Sequence, residues 1–287
     1  MNQREKEYFS ALSAKRVKSA DALEDFALSG IKDCVVEKYS DQAHFIYELL
    51  QNADDAQATT ARFELHKDKL LFTHNSERRF RVSNPAAEEA DQKNGTLGDI
   101  HAITAVGGSN KLVNAIGKFG VGFKAVFQYT ATPHIYDPKI FIKIDRFIVP
   151  NLLVDDYHVR KDGETLFVFP FDHYKKTSQD AYEEISEKLR TLVNPILFLS
   201  HLKEISFEIS GAQGFYRKSA KKKRCFGETN SAFLCLTQNN TGHLCENIEF
   251  VFGPPGTGKT THLSQNVILP NTKKTIEYTL VLFSRIT

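Results

Sequence analysis

Between Ile116 and Lys124 the chain reads Ile-Gly-Lys-Phe-Gly-Val-Gly-Phe-Lys, with glycine at 117, 120 and 122. Glycine at this density permits close backbone approach and φ values that other residues avoid. A helical pattern running to about Gln128 follows at once. Its free N–H groups and positive dipole end would face whatever the loop encloses. Lys118 and Lys124 add positive charge. The stretch is predicted to wrap a phosphate; the competing reading is a glycine-rich turn between packed elements.

Upstream, Glu48-Leu-Leu-Gln-Asn-Ala-Asp-Asp-Ala56 places Glu48, Asn52 and Asp55 at i, i+4 and i+7, which is one stripe of a helix. Ile46, Leu49 and Ala53 fall away from that stripe and can pack a core. Two carboxylates and an amide on one face suit chemistry better than packing. Asn52 offers a neutral oxygen of the kind Mg²⁺ takes as a ligand, and Glu48 can act as a general base toward water. Alone, the helix reads equally as an ordinary amphipathic surface helix; the glycine loop downstream favours the site.

The surrounding pattern is a mixture. Residues 1 to about 35 are charged and periodic, with Leu12, Val17, Leu23, Phe26 and Leu28 expected inside. Ser40-Asp41 offers an N-cap for a helix through Ala58. Ala61–Leu65 and Leu70–Thr73 alternate around Lys67-Asp68-Lys69 as a hairpin. Residues 81–98 read as a mobile loop, and Asp99–Val106 as a short helix. His134–Tyr136, Ile140–Ile144, Thr165–Phe169 and Glu204–Ile209 read as strands, and Ser178 to about Leu192 as a helix. Hairpins covered by helices, without regular alternation, predict an α+β fold.

The 287 residues carry a formal charge of +2 and 41% hydrophobic side chains. A core is affordable in that composition, and no global nucleic-acid or membrane signature exists. The local exception is Arg217-Lys-Ser-Ala-Lys-Lys-Lys-Arg224, read as a solvated loop or as a phosphate or nucleic-acid contact. Cys225, Cys235, His243 and Cys245 fit no common zinc spacing. The start lacks an apolar signal core, and no apolar run is long enough for a bilayer. A reducing cytoplasm with free thiols is the expectation.

The two boxes resemble those of the GHKL, or Bergerat-fold, ATPases. Phe72-Thr-His-Asn75, Gly108-Ser-Asn-Lys111 and Gly117–Phe127 bring the resemblance nearest to the sacsin/Nov type, over about residues 20–210. The resemblance implies a two-layer α/β sandwich on a mixed, mostly antiparallel sheet. It implies Glu48 as catalytic base and Asn52 as Mg²⁺ ligand, with Asp55 lining the nucleotide. Gly117, Lys118, Gly120 and Gly122 would hold the phosphates of ATP, and Thr165, in Gly163-Glu-Thr165, would lie near the nucleotide. It also implies homodimerisation through nucleotide-driven lid closure. One departure stands out. The superfamily reads adenine with Asp in Asp-x-Gly, whereas this chain has His74-Asn75-Ser76-Glu77. Asn75 is expected to supply the base contact, since an amide is both donor and acceptor.

Gly253-Pro-Pro-Gly-Thr-Gly-Lys-Thr260 matches the P-loop pattern after the apolar strand Ile248–Phe252. Gly258 and Lys259 would hold phosphates and Thr260 a Mg²⁺ ion; the wording resembles AAA-type ATPases and superfamily 1 helicases. Only 27 residues follow Thr260, too few for the sheet and the later carboxylate such a domain needs. The expected organisation is a helical extension at 1–20, an ATP-binding domain at 21–210, a weakly structured basic junction at 211–247 and a truncated P-loop start at 248–287. The expected function is slow Mg²⁺-dependent ATP hydrolysis serving as a conformational switch. The alternatives are a non-hydrolysing nucleotide-binding scaffold or chaperone module, and the front of a longer helicase-like motor.

Overall fold

A computed structural model describes residues 1–26, 30, 34, 44–106, 122–192, 195–196, 199–224, 230–239 and 246–252. The chain divides into two compact units, Met1–Arg217 with Gln238–Cys245, and Lys218–Thr237 with Glu246–Thr287.

The first unit is α+β. Its helices are α1 (Gln3–Glu24), α2 (His44–Asp55), α3 (Glu88–Asn94), α4 (Asp99–Thr104) and α5 (Ser178–Arg190), with 3-10 helices at Pro85–Ala87 and Gly122–Gln128. Its strands are β1 (Thr60–Leu65), β2 (Lys69–His74), β3 (His134–Asp137), β4 (Ile140–Asp145), β5 (Val149–Leu152), β6 (Thr165–Pro170), β7 (Glu204–Ile209) and the start of β8 (Ala212–Arg224). They lie in the order β8-β7-β1-β2-β6-β3-β4-β5. The β1–β7 pair is parallel, and the other registered pairs are antiparallel.

Strand alternation sorts the side chains into two faces. Phe63, Phe72, Phe167 and Ile135 form one continuous cross-strand row. The Phe63 and Phe72 rings are 4.7 Å apart and the Phe72 and Phe167 rings 5.8 Å apart. Phe123, from the 3-10 helix, reaches Phe167 at 6.2 Å on this face. On the other face Leu71, Tyr136, Leu166 and Val168 make a smaller buried cluster, covered by Leu153 and Tyr157. That face is therefore not simply polar, which explains the unbroken burial of Thr165–Phe169.

Local chemistry sets the element ends. Asn2 and Glu5 form a capping box at α1, with Asn2 Oδ1 accepting from Glu5 N at 2.8 Å and Glu5 Oε2 from Asn2 N at 2.9 Å. Thr177 caps α5 by accepting from Asp180 N at 3.1 Å. α2 closes with Ala58 N donating to the Ala53 carbonyl at 2.9 Å and Gln57 N to that of Asp54 at 2.8 Å. Gln57, at φ 64°, takes the left-handed position that glycine usually fills in this motif. The β4–β5 turn holds Arg146 and Phe147 at φ 51° and 74°, a sparsely populated region for residues with a Cβ.

Several sequence expectations change. Val17 and Phe26 are exposed rather than buried. Residues 81–98 contain the 3-10 turn and α3, the latter ended by Gly95 at φ 70°. The helix after the glycine box is a 3-10 helix. β5 escapes sequence reading because Pro150 breaks its pattern. The basic junction contains β8 and β9 (Asn230–Asn239), which with β10 (Glu246–Phe252) are the described strands of the second unit, ordered β8-β9-β10. Among the described residues no helix is long and apolar enough to cross a membrane.

Candidate functional site

α2 forms where its apolar stripe predicts: Ile46, Leu49, Leu50 and Ala53 are fully buried. That burial turns the C-terminal half of the helix into the protein, and Asn52 goes with it. Asn52 is 5% exposed, and among the described residues neither its Oδ1 nor its Nδ2 has a hydrogen-bond partner. An amide buried in that state costs about 1–3 kcal/mol, so it is an uneconomical choice for packing alone. Glu48 and Asp55 are half-buried on the same helix.

The adjacent Asp54 has a different task. It is 6% exposed and accepts from the backbone N–H groups of Ser200, His201 and Leu202, each at 2.7 Å. This carboxylate ties the end of α2 to the segment entering β7. Sequence reasoning passed over it, although Asp54 continues the apolar Ile46–Leu50 row at i+8. A carboxylate on an apolar row was the available signal.

The Asn75 amide is engaged within the protein. Its Oδ1 accepts from Thr59 N and Thr60 N, both at 2.9 Å, and its Nδ2 donates to Thr59 Oγ1 at 2.8 Å. The amide thus acts as a clasp on the start of β1. It borders a cleft of about 550 Å³ whose lining also includes Asp55, Gln57, Thr59, Glu77 and Arg78. Of the sequence-predicted residues, this cleft brings Asp55 and Asn75 together.

The β2–β6 register sets His74 opposite Thr165, joining two segments far apart in sequence. Thr165 is fully buried and donates to Asp137 Oδ2 at 3.2 Å. Burial raises the Asp137 carboxyl above its usual range, against the opposing pull of Lys139 N and Arg79. His74 is 6% exposed, its ring about 6 Å from those of Phe72 and Phe167. Its Nδ1 accepts from Ser76 N at 3.3 Å, which leaves Nε2 to carry the proton of the neutral ring. Burial, aided by the Arg79 charge, pushes its pKa down to about 4.

Lys124 corrects a further expectation. Rather than facing a phosphate, it is fully buried, donates Nζ to the Phe147 carbonyl at 2.7 Å and sits over the Phe147 and Phe127 rings. Burial, with the nearby Arg16 charge, holds its pKa well below the ordinary lysine value. Gly122 opens the 3-10 helix that packs on α2. Gly117, Lys118, Gly120, Gly258, Lys259 and Thr260 lie outside the described residues. Among the described residues no group of three or more His, Cys, Asp or Glu side chains is placed to hold a metal ion. The unpartnered Asn52 amide fits a single oxygen ligand to Mg²⁺, with water and phosphate supplying the rest.

Two relatives and one protein family resemble this chain. Over 116 residues, 38% of this chain, the sequence is 34% identical to protein NO VEIN of Arabidopsis thaliana. Over 135 residues, 44% of this chain, it is 30% identical to human sacsin. The matched stretches span only 4% and 3% of those two relatives. Residues 28–149 match the Sacsin domain family, so the stretch that builds α2, β1, β2, α3, α4 and the β3–β4 hairpin is similar to that domain.

Proposed function

We propose that the first unit binds Mg-ATP at α2 in the manner of a sacsin-like GHKL module and hydrolyses it slowly as a conformational switch. The observation that carries this reading is Asn52, whose buried amide has no partner among the described residues and sits between Glu48 and Asp55. In this reading Asn52 Oδ1 ligands Mg²⁺, which neutralises phosphate charge when bound. Glu48 orients a water and takes its proton. Asp55 and Thr165 border the nucleotide, and Gly117, Lys118, Gly120 and Gly122 hold its phosphates. A cytoplasmic setting and dimerisation through lid closure belong to the same proposal.

Glu48→Ala should abolish phosphate release while leaving Mg-ATP affinity within about twofold, because a general base acts on the transition state and contributes little to ground-state binding. A phosphate-release assay paired with a binding titration checks this; turnover equal to that of the wild type would remove the catalytic assignment. A scaffold that binds without hydrolysing is the second reading. It is favoured by the engagement of Asn75 with Thr59 and Thr60, which competes with a base contact from the same amide. The P-loop at Gly253–Thr260 keeps the nucleic-acid motor reading at the level of sequence.

A further inference from the structure

Among the ties of α1 to the rest of the first unit, which include the Glu5–Lys139 pair on the β3–β4 turn, two bear on the site. Arg16, 8% exposed, donates through Nε to Thr104 Oγ1 at 3.2 Å and through Nη2 to the His101 carbonyl at 3.4 Å. Its Nη2 also pairs with Glu88, to which Lys15 donates at 2.5 Å. Glu88 begins α3, and Thr104 ends α4. His101, fully buried, lies in the same cluster, with Nδ1 3.5 Å from Glu88 and Nε2 2.9 Å from the Ser83 carbonyl.

The second fastening is on the β4–β5 turn. Arg146 pairs through Nη2 with Asp21 at 2.7 Å and Glu24 at 2.6 Å, and donates through Nε to Glu24 at 3.0 Å. Arg146 and its neighbour Phe147 hold the left-handed φ values noted above. The Phe147 carbonyl is also the acceptor for Lys124 of the 3-10 helix. α1 thus grips α4 through Arg16, and through Arg146 the turn that receives the 3-10 helix. In the sequence, α4 and the 3-10 helix are the elements on either side of residues 107–121, which carry four of the glycines. The 3-10 helix also packs on α2.

We infer that α1 is a positioning strap for the nucleotide site, with Arg16 as its principal positioning residue. The inference rests on the Mg-ATP reading above. Arg16 acts through α4 and Glu88; with Arg146 holding the turn that receives the 3-10 helix, it sets the spacing between α4 and that helix. Any event that withdraws α1 therefore lowers triphosphate affinity, and nucleotide binding tightens the hold on α1 in return. A guanidinium is required because its fork serves a hydroxyl, a carbonyl and a carboxylate together, which an ammonium cannot match.

Calorimetric titration of the full chain with Mg-ATP and with adenosine tests this in wild type, Arg16→Met, Arg16→Lys and Arg146→Ala. Arg16→Met should weaken Mg-ATP by about tenfold or more while adenosine changes by less than about twofold, with Arg16→Lys between wild type and Met. Arg146→Ala, a surface change that spares folding, should act in the same direction and more weakly. Equal losses for Mg-ATP and adenosine would mean a merely structural role and would overturn the inference. Unchanged Mg-ATP affinity in folded Arg16→Met, or in Arg146→Ala if Arg16→Met does not fold, would also overturn it. Absence of Mg-ATP binding by the wild type would instead overturn the nucleotide reading on which it stands.

Discussion

Asp54→Ala should destabilise the first unit by about 3 kcal/mol or more, the largest stability effect expected from any single polar side chain in α2. The carboxylate accepts three backbone N–H groups at 2.7 Å, and charge-assisted bonds of this kind are worth about twice neutral ones. Alanine leaves all three donors without their acceptor. Ser200 and His201 are exposed enough for water to replace it, whereas Leu202 is fully buried and its N–H has no such recourse. Asp54→Asn keeps one acceptor oxygen and should cost about half as much. Guanidinium unfolding of the two variants checks the order; a loss below about 0.5 kcal/mol for alanine, the scale of ordinary surface changes, would contradict it.

The second large effect is acid sensitivity centred on His74. Its folded-state pKa is pulled from an ordinary 6.5 to about 4, first by burial and then by the Arg79 charge. The unfolded chain takes up the proton as pH falls through about 6.5, whereas the folded chain resists until about 4. A depressed folded pKa contributes stability that is complete above the unfolded value and is lost as pH falls toward the folded value. At about 1.4 kcal/mol per pH unit, the contribution lost over that window is about 3 kcal/mol. His74→Phe keeps a ring between Phe72 and Phe167 and removes the proton acceptor. Unfolding free energies at neutral pH and near pH 4.5 should therefore diverge, with the wild type falling by about 2 kcal/mol more than the variant. Parallel decline in both proteins would assign the acid sensitivity to other groups.

Much of this architecture was legible because its signals are local. The hairpin β1–β2 announced itself through alternation around Lys67-Asp68-Lys69 and formed with Leu65 opposite Leu70. α2 was legible from the spacing of Ile46, Leu49 and Ala53, and α5 was expected from Ser178 and formed over Ser178–Arg190. What stayed hidden depends on long-range pairing. Lys124 follows a glycine box and looks like a phosphate ligand until the β4–β5 turn is folded against it. The clasp that the Asn75 amide makes on Thr59 and Thr60 exists only once β1 is placed beside it. β5 carries a proline at its second position, and β8 carries a run of lysines that suggests solvent rather than a strand. Asp54 and Asp55 are identical in type and adjacent in sequence. Only the packing of α2 decides that the first binds backbone and the second borders a cleft.

Asn52 carries the central claim, because a residue kept for a ligand is dispensable to the fold. In one experiment, Mg-ATP is titrated into wild type and Asn52→Ala, and the unfolding free energy of each ligand-free protein is measured alongside. The account predicts wild-type binding and a loss of about 100-fold or more in the variant, whose ligand-free stability is equal to or above that of the wild type because an unpartnered buried amide has been removed. Equal Mg-ATP affinity in the two proteins, or a marked loss of stability on removing Asn52, would contradict it.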